Sequence, residues 1–347
     1  MKKNKKSLLA LLLAGAAILS VGCSNTPQLI SSSEAAVPSS DGAPAGSQPA
    51  LSQSYSFTVG TSSSGGSVYA VGAGLSQMLT EKISGLNMRA IATGGAVDNV
   101  GLMSRGEVQL SLNASNTNYL ACNGQLEGMD KQENLRGIVS LYPSVFHFIV
   151  GKESGITGFD QLGGRKGAVG APASATDLYC TDVLSYFGYD YHDRKDVEAV
   201  YANTSDATDQ FKDGHIDWAL FPLGVPGSAV LDLSMSGKID ILPIEGEDRD
   251  GLLKQFPYYI PYTIPAGTYT GFDSDIDTVG CVITLVADES VDEEVVYQIT
   301  KTIWENLDSV QTIANSLTWM NKENAIAGIG APLHPGAERY YKEIGIL

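Results

Sequence analysis

Basic residues, cysteines and histidines are all scarce in this chain. Its 347 residues hold 22 Lys and Arg against 39 Asp and Glu, a formal charge of −17. A surface this acidic argues against nucleic acid as a partner, because phosphate contacts need basic groups. A small anionic ligand stays possible, since local dipoles can oppose the net charge. The four cysteines are Cys23, Cys122, Cys180 and Cys281, with no Cys-x-x-Cys pair, and His147, His192, His215 and His334 are scattered. Metal-ligand spacing is therefore missing, and no metal or cofactor is expected. Pairing among the last three cysteines stays open. The apolar run at 8–21 is too short and too early for a membrane span.

That run follows Lys2, Lys3, Lys5 and Lys6 and ends in Gly22-Cys23, the pattern of a secretory leader over residues 1–23. Its end, Leu19-Ser20-Val21-Gly22-Cys23, resembles a bacterial lipobox, although Ser20 stands where Leu is commonest. Lipidation at Cys23 would anchor the protein to the membrane without spanning it, outside the cytoplasm. Residues 24–53 are rich in Ser, Ala, Pro and Gly and read as a flexible tether.

The folded body begins near Tyr55. Tyr55, Phe57 and Val59 alternate with polar residues as a strand, which Gly60 ends. A hydroxyl- and glycine-rich turn follows, and helical spacing begins at Gly66 with Val68, Val71, Leu75, Leu79 and Ile83. Strand, small polar turn and helix start make a cradle for an anion, because first-turn N–H groups are unpaired and the dipole is positive there. Simple helix capping by Ser64 is the plainer alternative. Further expected strands lie at 87–92, 108–112, 137–141 and 145–150, with Asn113-Ala114-Ser115-Asn116 as a polar exit. The rhythm indicates an α/β protein with a largely parallel sheet.

From Asp160 the pattern starts again. A strand at 166–170 leads to Ala171-Pro172-Ala173-Ser174-Ala175-Thr176 and a helix; Gly214 ends a later helix before a strand at 218–221. Val59-Gly60-Thr61 aligns with Val169-Gly170-Ala171, and Gly106 with Gly214, at nearly equal internal spacing. Two similar lobes facing each other would put both hydroxyl-rich turns on one cleft, beyond the carboxyl ends of their strands. After them come an irregular stretch at 257–271, an apolar strand at 279–287 and a helix at 291–307.

These segments, taken in order, resemble the TAXI-type solute-binding proteins of tripartite ATP-independent periplasmic (TRAP) transporters. The likeness spans about residues 55–345. It is carried by Val59-Gly60-Thr61 with Gly65-Gly66 and Tyr69, by Ala92-Thr93-Gly94-Gly95-Ala96-Val97-Asp98-Asn99, and by Ser140-Leu141-Tyr142-Pro143. Also matching are 169–176, Lys212-Asp213-Gly214-His215-Ile216-Asp217, Thr263-Ile264-Pro265-Ala266-Gly267-Thr268-Tyr269 and 332–341. The resemblance implies a two-lobed periplasmic-binding-protein fold (Venus flytrap, type II-like), with lobe one at 54–143 and 280–347 and lobe two at 144–279. It implies a monomer without enzymatic activity that captures a small anionic metabolite, a carboxylate or amino acid of glutamate or dicarboxylate type. The loaded protein would dock on TRAP membrane permease subunits.

The ligand-binding candidates are Thr61, Ser62, Ser64, Gly65, Gly66, Tyr69, Asn99, Ser115, Tyr142, Ser174, Ala175, Thr176, Gly224 and Val225. Each has a plainer structural reading as cap, hinge packing or core. Ser62, Ser63 and Ser64 replace glycines usual in the family, as Ala173 and Ala175 do beside Ser174, so a smaller, hydroxyl-lined pocket is implied. No Arg lies in these turns, so a carboxylate would meet backbone N–H groups and hydroxyls. His334 reads as a loop-ordering residue. A sensory receptor of the same fold is the alternative function. A serine hydrolase is disfavoured, since no histidine sits in a nucleophile motif.

Overall fold

The computed structural model describes residues 50–347 apart from Ser63, Gly65 and Ala173. The leader, Cys23, most of the tether and the candidate Gly65 lie outside the described residues. Among the described residues, no helix is long and apolar enough to cross a membrane.

The first half runs β1 (Ala50–Gly60), α1 (Ser67–Lys82), β2 (Ser84–Ile91), α2 (Ala96–Ser104), β3 (Leu110–Ala114), α3 (Ser115–Cys122) and the long β4 (Leu135–Gly151). The next part runs β5 (Lys166–Gly170), α4 (Ala175–Tyr186), β6 (Glu198–Tyr201), α5 (Thr204–Lys212), β7 (Trp218–Leu223), α6 (Ser228–Ser234) and β8 (Ile239–Leu242). Then come α7 (Gly246–Gln255), β9 (Tyr259–Ile264), the second long strand β10 (Ile276–Asp288), α8 (Glu293–Glu305), α9 (Leu307–Gln311) and α10 (Pro335–Glu343).

All ten strands join one sheet, ordered β2-β1-β3-β10-β4-β7-β5-β6, with β8 on β4 and β9 on β10. That order is nearly palindromic. β1 sits between β2 and β3, and β5 between β6 and β7, each pairing parallel with both neighbours. The internal similarity of the sequence thus reappears as two like βα units on either side of the β10–β4 pair. The sheet is mixed rather than largely parallel, because β10 runs antiparallel to β3, β4 and β9, and β4 antiparallel to β7 and β8.

Several boundaries differ from the sequence reading for physical reasons. The strands expected at 137–141 and 145–150 are one continuous β4. Pro143 stands opposite Val282, two residues before Val145, where pairing with β7 begins, so its missing N–H falls close to where β4 changes neighbours. The stretch at 257–271 contains a strand, β9, which pairs only with β10; Pro261 is tolerated on that edge. The polar exit 113–116 is instead the end of β3 and the start of α3, whose Ser115, Asn116, Thr117 and Asn118 are all buried. Tertiary burial overrides the weak helix preference of such residues.

Close approach explains one glycine in the second sheet half. A Cβ on Gly167 would lie 1.9 Å from Cε2 of Trp218, the buried indole that opens β7. Gly167→Ala should therefore destabilise by about 1–3 kcal/mol through overpacking. Urea unfolding would check this, and an unchanged midpoint would contradict it.

Candidate functional site

Both βα turns sit at the carboxyl ends of their central strands, and both are built around a glycine. Against Gly60, an added Cβ would stand 2.5 Å from Asn99 Oδ1. At Gly170, where φ is +91°, it would stand 2.6 Å from the Thr176 Cβ and 2.9 Å from Ser174 Oγ. Only glycine lets the polar side chains pack this tightly on the strand ends.

In the first turn, the Thr61 side chain is fully buried and donates to the Ile91 carbonyl at 2.6 Å. The Thr61 carbonyl accepts from Thr93 Oγ1 at 2.9 Å and from Asn99 Nδ2 at 2.8 Å, and Thr93 N donates to the Ser62 carbonyl. The turns at 61–66 and 93–96 are thereby stitched together. Thr61 and Asn99 act inside that stitch. Ser62, Gly66 and Tyr69 are half-buried and Ser64 is exposed, so these four face outward from it. Gly66 caps α1 without any side-chain acceptor, and α1 has no acid in its first turn.

The second turn is organised differently. Ser174 Oγ caps α4 by accepting from Asp177 N at 3.2 Å, and Asn203 caps α5 through Asp206 N at 3.0 Å. Ser174 and Thr176 meet Asn203 and Thr204 around a cavity of about 150 Å³. Ala175 is exposed at the first position of α4. Gly224 and Val225 are half-buried on the loop after β7 and do not line that cavity.

That loop has its own support. His147 on β4 points Nδ1 at the Val145 and Phe221 carbonyls, at 3.0 and 3.1 Å. Burial pushes its pKa down to about 4, so the ring is neutral with the proton on Nδ1. Nε2 then accepts from the Tyr269 hydroxyl at 2.7 Å, and that hydroxyl accepts from Gly227 N at 2.8 Å. Tyr269 thus ties the 224–227 loop to the sheet. His334 caps α10, with Nδ1 accepting from Gly336 N and Nε2 3.0 Å from the Val291 carbonyl.

Ser115 and Tyr142 stand where the sheet halves meet. Ser115 Oγ donates to the Tyr258 carbonyl at 2.9 Å, accepts from Val282 N at 3.2 Å and lies 3.1 Å from Cys281 Sγ. Cys281 is fully buried, and Cys122, Cys180 and Cys281 are all free thiols. Tyr142 on β4 is buried; burial raises its pKa to about 12, against the lowering effect of hydrogen bonding with the Ser67 side chain.

Sequence reasoning missed Asn116, Asn203 and a carboxylate, Asp182 of α4. The Tyr258 and Tyr259 hydroxyls both donate to Asp182 Oδ2, at 2.9 and 2.5 Å. The Tyr-Tyr dipeptide at 258–259 was the available signal. Burial lifts the Asp182 pKa to about 6, against the lowering effect of the two tyrosines. Among the described residues, no group of three His, Cys, Asp or Glu is placed to hold a metal.

A raised folded-state pKa means that the native protein holds this proton more tightly than the unfolded chain. Its favourable contribution is complete below the unfolded value near 3.8 and is lost as pH rises to about 6. Asp182→Asn should therefore stabilise the protein at pH 7.5, by about 1–2 kcal/mol after allowance for solvent. The same change should flatten the pH dependence between 4 and 6. Thermal melts across pH check this; a variant less stable than wild type at pH 7.5 would contradict it.

The NMT1-like family profile matches residues 59–345. A TctC solute-binding protein from Polaromonas superposes with a TM-score of 0.51 at 15% identity, covering 85% of this chain and 99% of the other. The periplasmic aliphatic sulphonate-binding protein SsuA from Escherichia coli gives 0.46 at 12% identity, covering 83% and 82%. The alkanesulfonate-binding protein SsuA from Xanthomonas axonopodis pv. citri, bound to MOPS, gives 0.42 at 14%, covering 84% and 85%. At these identities the likeness is one of fold, and the Polaromonas match carries it: an α/β, two-lobed periplasmic-binding-protein architecture with a curled mixed sheet.

Proposed function

The chain belongs to the NMT1-like family, and from that premise we propose that it is the extracytoplasmic solute receptor of a TRAP-type secondary transporter of the TAXI kind. The observation that carries this reading is the mirrored pair of strand, hydroxyl-rich turn and helix on either side of the β10–β4 pair. A division into lobes at 54–143 with 280–347, and 144–279, accords with the change of β4 partners at Val145. The turns at 61–66 and 171–176 are then two jaws that close on one small carboxylate or amino acid, glutamate- or dicarboxylate-like. The loaded protein, a monomer lipid-anchored through Cys23, hands its solute to the membrane permease.

A non-catalytic role fits the histidines. His147 and His334 are committed to backbone carbonyls and caps, and Ser174 is committed to its helix. Among the described residues, neither His147 nor His334 is thus available as a base for a jaw hydroxyl.

Binding to the native state stabilises by about 2.7 kcal/mol at 100 times Kd. A panel of dicarboxylates, monocarboxylates and acidic amino acids should thus contain one compound that raises the melting temperature by several degrees, with saturable heat in titration calorimetry. No response across the panel would refute the ligand class.

A further inference from the structure

The cavity beside the second turn is polar only at its rim. Its buried lining is Ala168 of β5, Ala202 just after β6, Ala207 of α5, and Leu220 and Phe221 of β7. Ser174, Thr176 and Thr204 are half-buried and Asn203 is exposed, so the hydroxyls and the amide stand nearer to solvent. Backbone groups around the cavity are already paired: Ala202 N donates to the Gly170 carbonyl at 3.0 Å, and Ala207 N to the Asn203 carbonyl at 2.9 Å.

Two of the rim groups are committed as well. Ser174 Oγ accepts from Asp177 N, while Asn203 Oδ1 accepts from Asp206 N and its Nδ2 donates to Asp206 Oδ2 at 2.9 Å. No Lys or Arg is among the lining residues. The first turns of α4 and α5 carry Asp177 and Asp206, which offset the positive ends of those helices. Below the rim, a carboxylate or hydroxyl would therefore lose water and find no side-chain partner, whereas a hydrocarbon group would find apolar walls. An apolar cavity of about 150 Å³ has room for a branched alkyl group of about four carbons.

Resting on the receptor reading above, we propose that this cavity is the subsite for the hydrocarbon part of the solute. The protein then selects an alkyl-bearing carboxylate or amino acid over its hydroxylated counterpart. Carboxylates stay outside the cavity, so monocarboxylates and dicarboxylates are both admitted.

Titration calorimetry on the purified full chain tests this with probes matched in charge and shape: 2-methylsuccinate against malate, 3-methylglutarate against 3-hydroxyglutarate, and valine against threonine. In each pair that binds, the methyl compound should bind about ten-fold to a hundred-fold tighter, the range an apolar pocket achieves against a hydroxyl isostere. Ala207→Ser, which sets a hydroxyl among the buried lining residues, should cut that preference to about three-fold or less. Nuclear Overhauser contacts should run from the bound ligand's methyl group to the methyl groups of Ala207 and Leu220 in the wild type. A hydroxylated probe that binds as tightly, a preference unchanged by Ala207→Ser, or a ligand methyl without those contacts would overturn the proposal and leave the receptor reading standing. Failure of the wild type to bind any of these compounds would overturn both.

Discussion

The architecture depends on the antiparallel pairing of β4 with β10 and on the polar knot beside it. β4 contacts β10 along its first part and β7 and β8 along its last, so the two sheet halves share a continuous backbone. At this crossing, Ser115 joins the start of α3 to the Tyr258 carbonyl and to Val282 N, while the Tyr258 hydroxyl continues to Asp182 on α4. Each such bond contributes about 0.5–1.5 kcal/mol, but their value lies in position. They tie α3 to β10 and, through Tyr258, to the jaw helix α4.

The jaws differ although their topology repeats. In one, buried groups turn inward: Thr61 and Asn99 are spent on stitching two turns together, and the N-cap of α1, Gly66, makes no side-chain cap bond. In the other, Ser174 and Asn203 close their own helices. A protein of charge −17 can thus still present one electropositive end, produced by backbone geometry rather than by Lys or Arg.

Much of this was legible in the amino-acid order. The paired glycines Gly60 and Gly170, the hydroxyl-rich turns and the helix periodicities predict the repeated units, and the structure has them in mirrored order. What was hidden depended on burial. Asn113, Ser115, Asn116 and Asn118 read as a solvated exit because nothing local says that they are covered. Pro143 reads as a break because its strand neighbours are distant in sequence. The partners of Ser115 are 143, 166 and 167 residues away, so its place at the crossing is a tertiary fact with no local pattern. Candidates such as Thr61 and Ser174 were identifiable as turn residues, whereas the direction of each hydroxyl was not.

The central claim is that two jaws joined by β4 and β10 close on one solute. Hydrogen–deuterium exchange, with and without the compound that raises the melting temperature, tests it most directly. The account predicts added protection in both 61–69 and 171–179, with the amides of β4 and β10 little changed. Protection confined to one turn, or centred instead on the separate cavity of about 430 Å³ beside Phe211 and Ile239, would contradict it.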